Sequence, residues 1–154
     1  MAEIPVEEYL CTRIRRTEQA LMAHHEAVLR GYGLTMTQYT VLLVLSREGG
    51  MSGAQLARAC GVTQQTMATV LTGLQNKDLI AREPSPVHAK VLIARLSDQG
   101  RQVLAGAYEE MVVLERALTD AFTPAEHSAF VDLLDRATGI LNRQTRHAED
   151  RPAT

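Results

Sequence analysis

Gln64, Gln65, Thr66 and Thr69 place two carboxamides and two hydroxyl side chains on one short stretch of chain, directly after Thr63. A Gln carboxamide offers a donor and an acceptor that match adenine N6 and N7, and a Thr methyl can meet a thymine methyl. That is chemistry for reading base edges, not for making or breaking bonds. No Arg stands in the stretch, so a guanine-dominated code is not expected. Ser52, Arg82 and Lys90 flank it as candidate partners for phosphate oxygens. His88, two residues before Lys90, has two readings, a loop histidine facing solvent or a further contact. Thr63 and Thr66 also have two, since a hydroxyl at a helix start either caps the helix or faces outward.

The rest of the chain offers no rival constellation. It has no GxSxG elbow, phosphate-cradling glycine loop or carboxylate pair at a defined site. The five histidines make no HxxxH pair, and the two cysteines make no CxxC. Neither a metal nor a cofactor is expected, and the chain does not read as an enzyme.

The elements that would position these groups follow from periodicity and punctuation. Leu10, Ile14, Leu21, Val28 and Tyr32 recur at helical spacing, predicting a first helix over 6–32 that Gly31 and Gly33 end. Thr35 and Gln38 form a capping box for a second helix with Tyr39, Val41, Leu42, Val44 and Leu45 inward. Ser52 and Gln55 form another, opening a third helix with Leu56, Ala57 and Cys60 inward, and Gly61 makes the turn. Thr63 then caps a fourth, with Val62 as its hydrophobic staple. Met67, Val70, Leu71 and Leu74 are its buried face, opposite Gln64, Gln65, Thr66, Ala68 and Thr69. Lys77 ends it, where a cation suits the helix dipole.

Residues 79–82 and 91–96 alternate as a short strand pair, and 83–90, with Pro84 and Pro86, forms a wing between them. Ser97 caps a long fifth helix. Thr123-Pro-Ala-Glu126 starts a sixth, carrying Phe130, Leu133, Leu134, Ala137, Ile140 and Leu141 ahead of a polar tail at 147–154. The fold class is mainly α, a winged helix-turn-helix of about six helices with a small β-wing.

One domain over 1–154 is expected, with a winged region at 35–96. The apolar stripes at 6–32 and 98–147 exceed what that region can cover, so these helices are expected to form an intermolecular dimerisation bundle, with folding back on the same chain as the alternative. Aliphatic residues and Met must fill the core, because the chain is 45% hydrophobic with no Trp and two Phe. Its net charge of −2 is unevenly spread. Between 51 and 104 the bases Arg58, Lys77, Arg82, Lys90, Arg95 and Arg101 outnumber Asp78, Glu83 and Asp98, whereas acids crowd the C-terminal helices. A locally positive middle suits a nucleic-acid face. No apolar run approaches the roughly 18 residues of a membrane span. Met1–Pro5 lacks signal-peptide character, and the cysteines read as free thiols, so a cytoplasmic protein is expected.

Over nearly its full length the chain resembles the MarR family of bacterial transcriptional regulators. The resemblance rests on LTMTQYTVLLVL at Leu34–Leu45, MSGAQLARACGVTQQTMATVLTGLQNKDLI at Met51–Ile80 and RLSDQGRQVL at Arg95–Leu104, in that order and spacing. It implies a homodimer that binds double-stranded DNA at an inverted-repeat operator, usually as a repressor. Two recognition helices would enter major-groove half-sites about 10 bp apart, or a near multiple. It also implies release by a small aromatic or phenolic effector, or by oxidation of a thiol. The wing departs from the family's Asp-x-Arg, with His88 and Lys90 in those places.

For an effector, Arg15, His24 and Tyr39 are the candidate lining of a pocket between the first, second and fifth helices. For oxidation, Cys11 stands where OhrR-like members carry a peroxide-sensing cysteine, near Arg13, Arg15 and Arg16, which favour thiolate. Thr12 and Arg15 replace the Phe and Tyr common there. The other reading of Cys11 is a small buried apolar residue at the dimer seam, and Cys60 reads as core. A winged-helix module that binds another protein through its acidic surface is the alternative outside DNA binding.

Overall fold

The computed structural model describes residue 5, residues 9–87 and residues 90–149. His88, the predicted start of the first helix at 6–8, and residues 150–154 of the tail lie outside the described residues. The order is α1 Leu10–Gly31, α2 Met36–Glu48, β1 Met51–Ser52, α3 Gly53–Ala59, α4 Gln64–Asn76, β2 Ile80–Pro84, β3 Leu92–Leu96, α5 Asp98–Asp120 and α6 Pro124–Glu149. The helices from α2 to α6 start where the caps predict, whereas α1, expected from 6, starts at Leu10 after an extended Tyr9 that makes no side-chain cap. Thr35 Oγ1 accepts from Gln38 N, and Gln38 Oε1 accepts from Thr35 N, both at 3.2 Å. Ser52 and Gln55 repeat the exchange at 3.3 and 2.9 Å. At α6, Glu126 accepts from Thr123 N at 2.9 Å, and these bonds hold its carboxyl below the usual range. Gly49 closes α2 in the left-handed region at φ +72.

Several details differ from the expected elements: β2 runs on to Pro84, into the expected wing, and β3 begins at Leu92 rather than at 91. The wing sheet has a third strand, ordered β1-β3-β2 and antiparallel, with Met51 opposite Ala94 and Ser52 opposite Ile93. A strand of two residues is too short to show alternation. Leu79 is not in β2. Its N–H closes α4 onto Leu74 O and its carbonyl accepts from Ser97 N, so the strand begins one residue later. The tail expected from 147 does not begin there, because α6 persists through Glu149.

The core holds Leu29, Val41, Leu42, Leu45, Leu56, Met67, Leu71 and Leu74 fully buried, each worth about 1.5–3 kcal/mol against exposure. Of the stripe predicted on α1, Leu10 is 75% exposed and Ile14 38% exposed. Leu29, off that stripe, is the residue of α1 that packs inside. From α5, Leu104 and Ala107 join it, so the winged region's core is completed by the helices on either side. Tyr32, after α1, donates to Glu110 of α5 at 2.6 Å, which raises its phenol pKa. A second close approach lies at Gly100, where a Cβ would stand 2.0 Å from Leu79 O.

The chain divides within α5, into Met1–Met111 and Val112–Thr154. In the second unit Phe122 stacks on Phe130 with ring centroids 5.5 Å apart. No described residue of α6 is buried, and Leu133, Leu134, Ile140 and Leu141 are all exposed.

Candidate nucleic-acid interface

The fourth helix is anchored by one face and free on the other. Met67, Leu71 and Leu74 are buried, whereas Gln64, Gln65, Thr66, Ala68 and Thr69 are exposed. Thr63 Oγ1 accepts from Thr66 N at 3.1 Å and lies 2.9 Å from Thr66 Oγ1, so both hydroxyls serve the cap. Thr69 Oγ1 donates back to Gln65 O at 3.3 Å. The carboxamides of Gln64 and Gln65 make no hydrogen bond among the described residues. Two hydrated amides at the exposed start of a helix are available to pair with a ligand at little cost. The free N–H groups of the first turn add a site for an anion such as a phosphate oxygen.

The candidates around it are placed differently from one another. Lys90 is exposed in the turn before β3. Ser52 is half-buried, its hydroxyl held in the α3 capping box. Arg82 is also half-buried, on β2, and its Nε is shielded from solvent with no hydrogen-bond partner among the described residues. The wing is closed by Ser85 N donating to Val91 O at 2.7 Å, and beyond that bond Val87 is 78% exposed. Sequence reasoning passed over this apolar tip, though the run Ser85-Pro86-Val87 carries it.

Arg15, His24 and Tyr39 do not line the cleft between α2, β3 and α5. Arg15 and His24 are exposed on α1, and Tyr39 is nearly buried on α2. The cleft between α2, β3 and α5, of about 360 Å³, is lined by Leu43, Leu96 and Leu104 and by Arg47, Arg101 and Tyr108, among others. Arg101 is held by Asp98 and by Leu96 O, but Arg47 makes no hydrogen bond or ion pair among the described residues. Tyr39 sits near this cleft electrostatically. Burial raises its phenol pKa, Tyr108 adds to the rise and Arg47 opposes it. An apolar slot with a free guanidinium and a phenol nearby suits an aromatic anion. Cys11 is exposed on the first turn of α1. Burial pushes the half-buried Cys60 thiol up, away from reactivity.

Among the described residues no helix is long and apolar enough to cross a membrane, and no group of His, Cys, Asp and Glu is placed to hold a metal ion. The MarR family pattern matches residues 32–90, from the end of α1 into the wing. The chain is 30% identical over 121 residues to the HTH-type transcriptional repressor Rv2887 of Mycobacterium tuberculosis, a match covering 79% of this chain and 87% of the relative. Two solved structures are similar in fold. The transcriptional repressor CouR, bound to a 23-mer DNA duplex, gives a TM-score of 0.74 at 24% identity, covering 89% of this chain and 99% of that one. BpsR of Bordetella bronchiseptica, whose DNA binding is regulated by 6-hydroxynicotinic acid, gives 0.66 at 26% identity, covering 89% and 98%.

Proposed function

The chain belongs to the MarR family of winged helix-turn-helix transcriptional regulators, and from that premise we propose that it is a homodimeric, cytoplasmic repressor of an inverted-repeat operator. The observation that carries the reading is the free pair Gln64 and Gln65 at the exposed start of α4, above a fully buried Met67-Leu71-Leu74 face. Gln64, Gln65, Thr66 and Thr69 read base edges, and Ser52, Thr63, Arg82, His88 and Lys90 meet the backbone. The repressor of 30% identity supports the direction of control. The chain works as one domain in which 35–96 reads DNA while 6–32 and 98–147 pair two copies. The exposed apolar residues of α1 and α6 support that pairing.

A gel shift at several salt concentrations tests the reading, with an inverted repeat from the DNA beside the gene set against random duplex. Gln65→Ala is expected to weaken operator binding by about 1–3 kcal/mol and relax one base position, sparing random DNA. Lys90→Ala is expected to weaken both and lower the salt slope by about one. Equal losses on both duplexes for Gln65→Ala overturn its base-reading role.

The cleft lined by Arg47, Arg101 and Tyr108 supports release by an aromatic carboxylate, the class of ligand that regulates BpsR. Such a ligand releases DNA only by binding the non-binding arrangement better. Arg47→Ala is expected to raise the ligand concentration needed for release about tenfold, the loss of one charge-assisted pair, at unchanged operator affinity. Release at the wild-type concentration removes Arg47 from the effector site.

A further inference from the structure

The exposed lysine at the end of α4 brings its charge to two acceptors from another part of the chain. Lys77 Nζ donates to Gly33 O at 2.5 Å and to Gln38 Oε1 at 3.0 Å. Gly33 lies in the turn after α1, in the left-handed region at φ +65. Gln38 is the capping-box residue of α2, and its Oε1 also accepts from Thr35 N. One carboxamide oxygen therefore serves the start of α2 and the end of α4 together. The other side of that carboxamide is held as closely, because a Cβ on Gly73 of α4 would come within 3.0 Å of Gln38 Nε2. Beyond Lys77 the chain turns at Asp78, φ +55, whose carbonyl accepts from Ser97 Oγ at 2.5 Å just before α5. The end of α4 is thus tied to the α1–α2 turn on one side and to the start of α5 on the other.

We propose that Lys77 is a positioning residue for operator recognition: its ammonium, gripped by Gly33 O and Gln38 Oε1, sets the angle at which α4 presents Gln64 and Gln65. The inference rests on α4 being the reading helix. A cation at a helix end is favoured by the dipole alone, but here two acceptors on another segment fix its place. The strength of bonds to a charged donor makes the tie stiff enough to matter.

Lys77→Met keeps the length of the stem and removes all three donors. It is expected to lower operator affinity about tenfold, the worth of a bond to a charged group, with affinity for random DNA, the salt slope and the far-UV spectrum unchanged. Gln38→Met is expected to lower operator affinity similarly, and the double variant to be no worse than either single one. Additive losses overturn the link between the two residues. Wild-type operator affinity in Lys77→Met overturns the inference. So does a parallel loss on random DNA with a slope lower by about one, which marks a phosphate contact instead. Should Lys77→Met fail to fold, Lys77→Gln is read by the same measures. A wild-type protein with no preference for any inverted repeat overturns the operator reading and this inference with it.

Discussion

Leu134→Glu should yield a folded monomer that has lost its operator. Leu134 is 45% exposed, on the same face of α6 as Phe130 and Leu141. In an isolated chain a carboxylate there meets water, so it changes stability by no more than about 0.5 kcal/mol. In a two-fold dimer the same substitution counts twice, because the seam is built from one patch on both subunits. Burying each carboxylate against apolar groups costs at least about 2 kcal/mol, so the dimer constant should weaken about a thousandfold. Losing the second reading helix removes its high local concentration, and operator affinity should fall at least about a hundredfold. Sedimentation velocity with far-UV circular dichroism checks the first effect and a gel shift the second. A dimer of wild-type strength would place the seam elsewhere.

Gly100→Ala should be the most destabilising single-methyl addition in the first unit. The new carbon would stand 2.0 Å from Leu79 O and 2.9 Å from its carbonyl carbon, both backbone atoms. That carbonyl is not free to retreat, since it accepts from Ser97 N at 3.1 Å, while Ser97 Oγ binds Asp78 O and Gly100 N. Relief of the clash must open the junction of α4, β2 and α5. The expected cost is about 3 kcal/mol, at the upper end for overpacking, which lowers Tm by about 10 °C. Gly31→Ala is the internal control. Nothing lies within 4 Å of its added carbon, and trading Gly for Ala in a helix is worth about 0.5–1 kcal/mol. Equal melting of the two variants by calorimetry would refute the close approach.

The starts of α2 to α6 were legible because each carries its own chemistry within four residues, as Thr35 with Gln38 and Thr123 with Glu126 do; α1 has no such cap, and its start was misplaced. Which face of α4 lies open was legible for a related reason, since Met67, Leu71 and Leu74 fix which side turns inward. What the sequence hid is long-range. Lys77 reads as a dipole-suited cation, and its partners lie 44 and 39 residues away. Leu29 could not be told from its neighbours on α1, because only the last turns of that helix meet the core of its own chain. The cleft residues Arg47, Arg101 and Tyr108 come from two helices brought together by packing. Arg15 and His24 are exposed on α1 and do not line the cleft.

The three-stranded sheet has two open margins, and each is guarded. On one side stands β1, with only Met51 and Ser52 to offer. On the other, β2 ends in Pro84, which has no N–H to donate, and carries Arg82 and Glu83 just before it. A neighbouring molecule therefore finds neither a long ladder to extend nor an uncharged rim to dock against. The sheet is thereby kept from pairing edge to edge with the same sheet of a second copy.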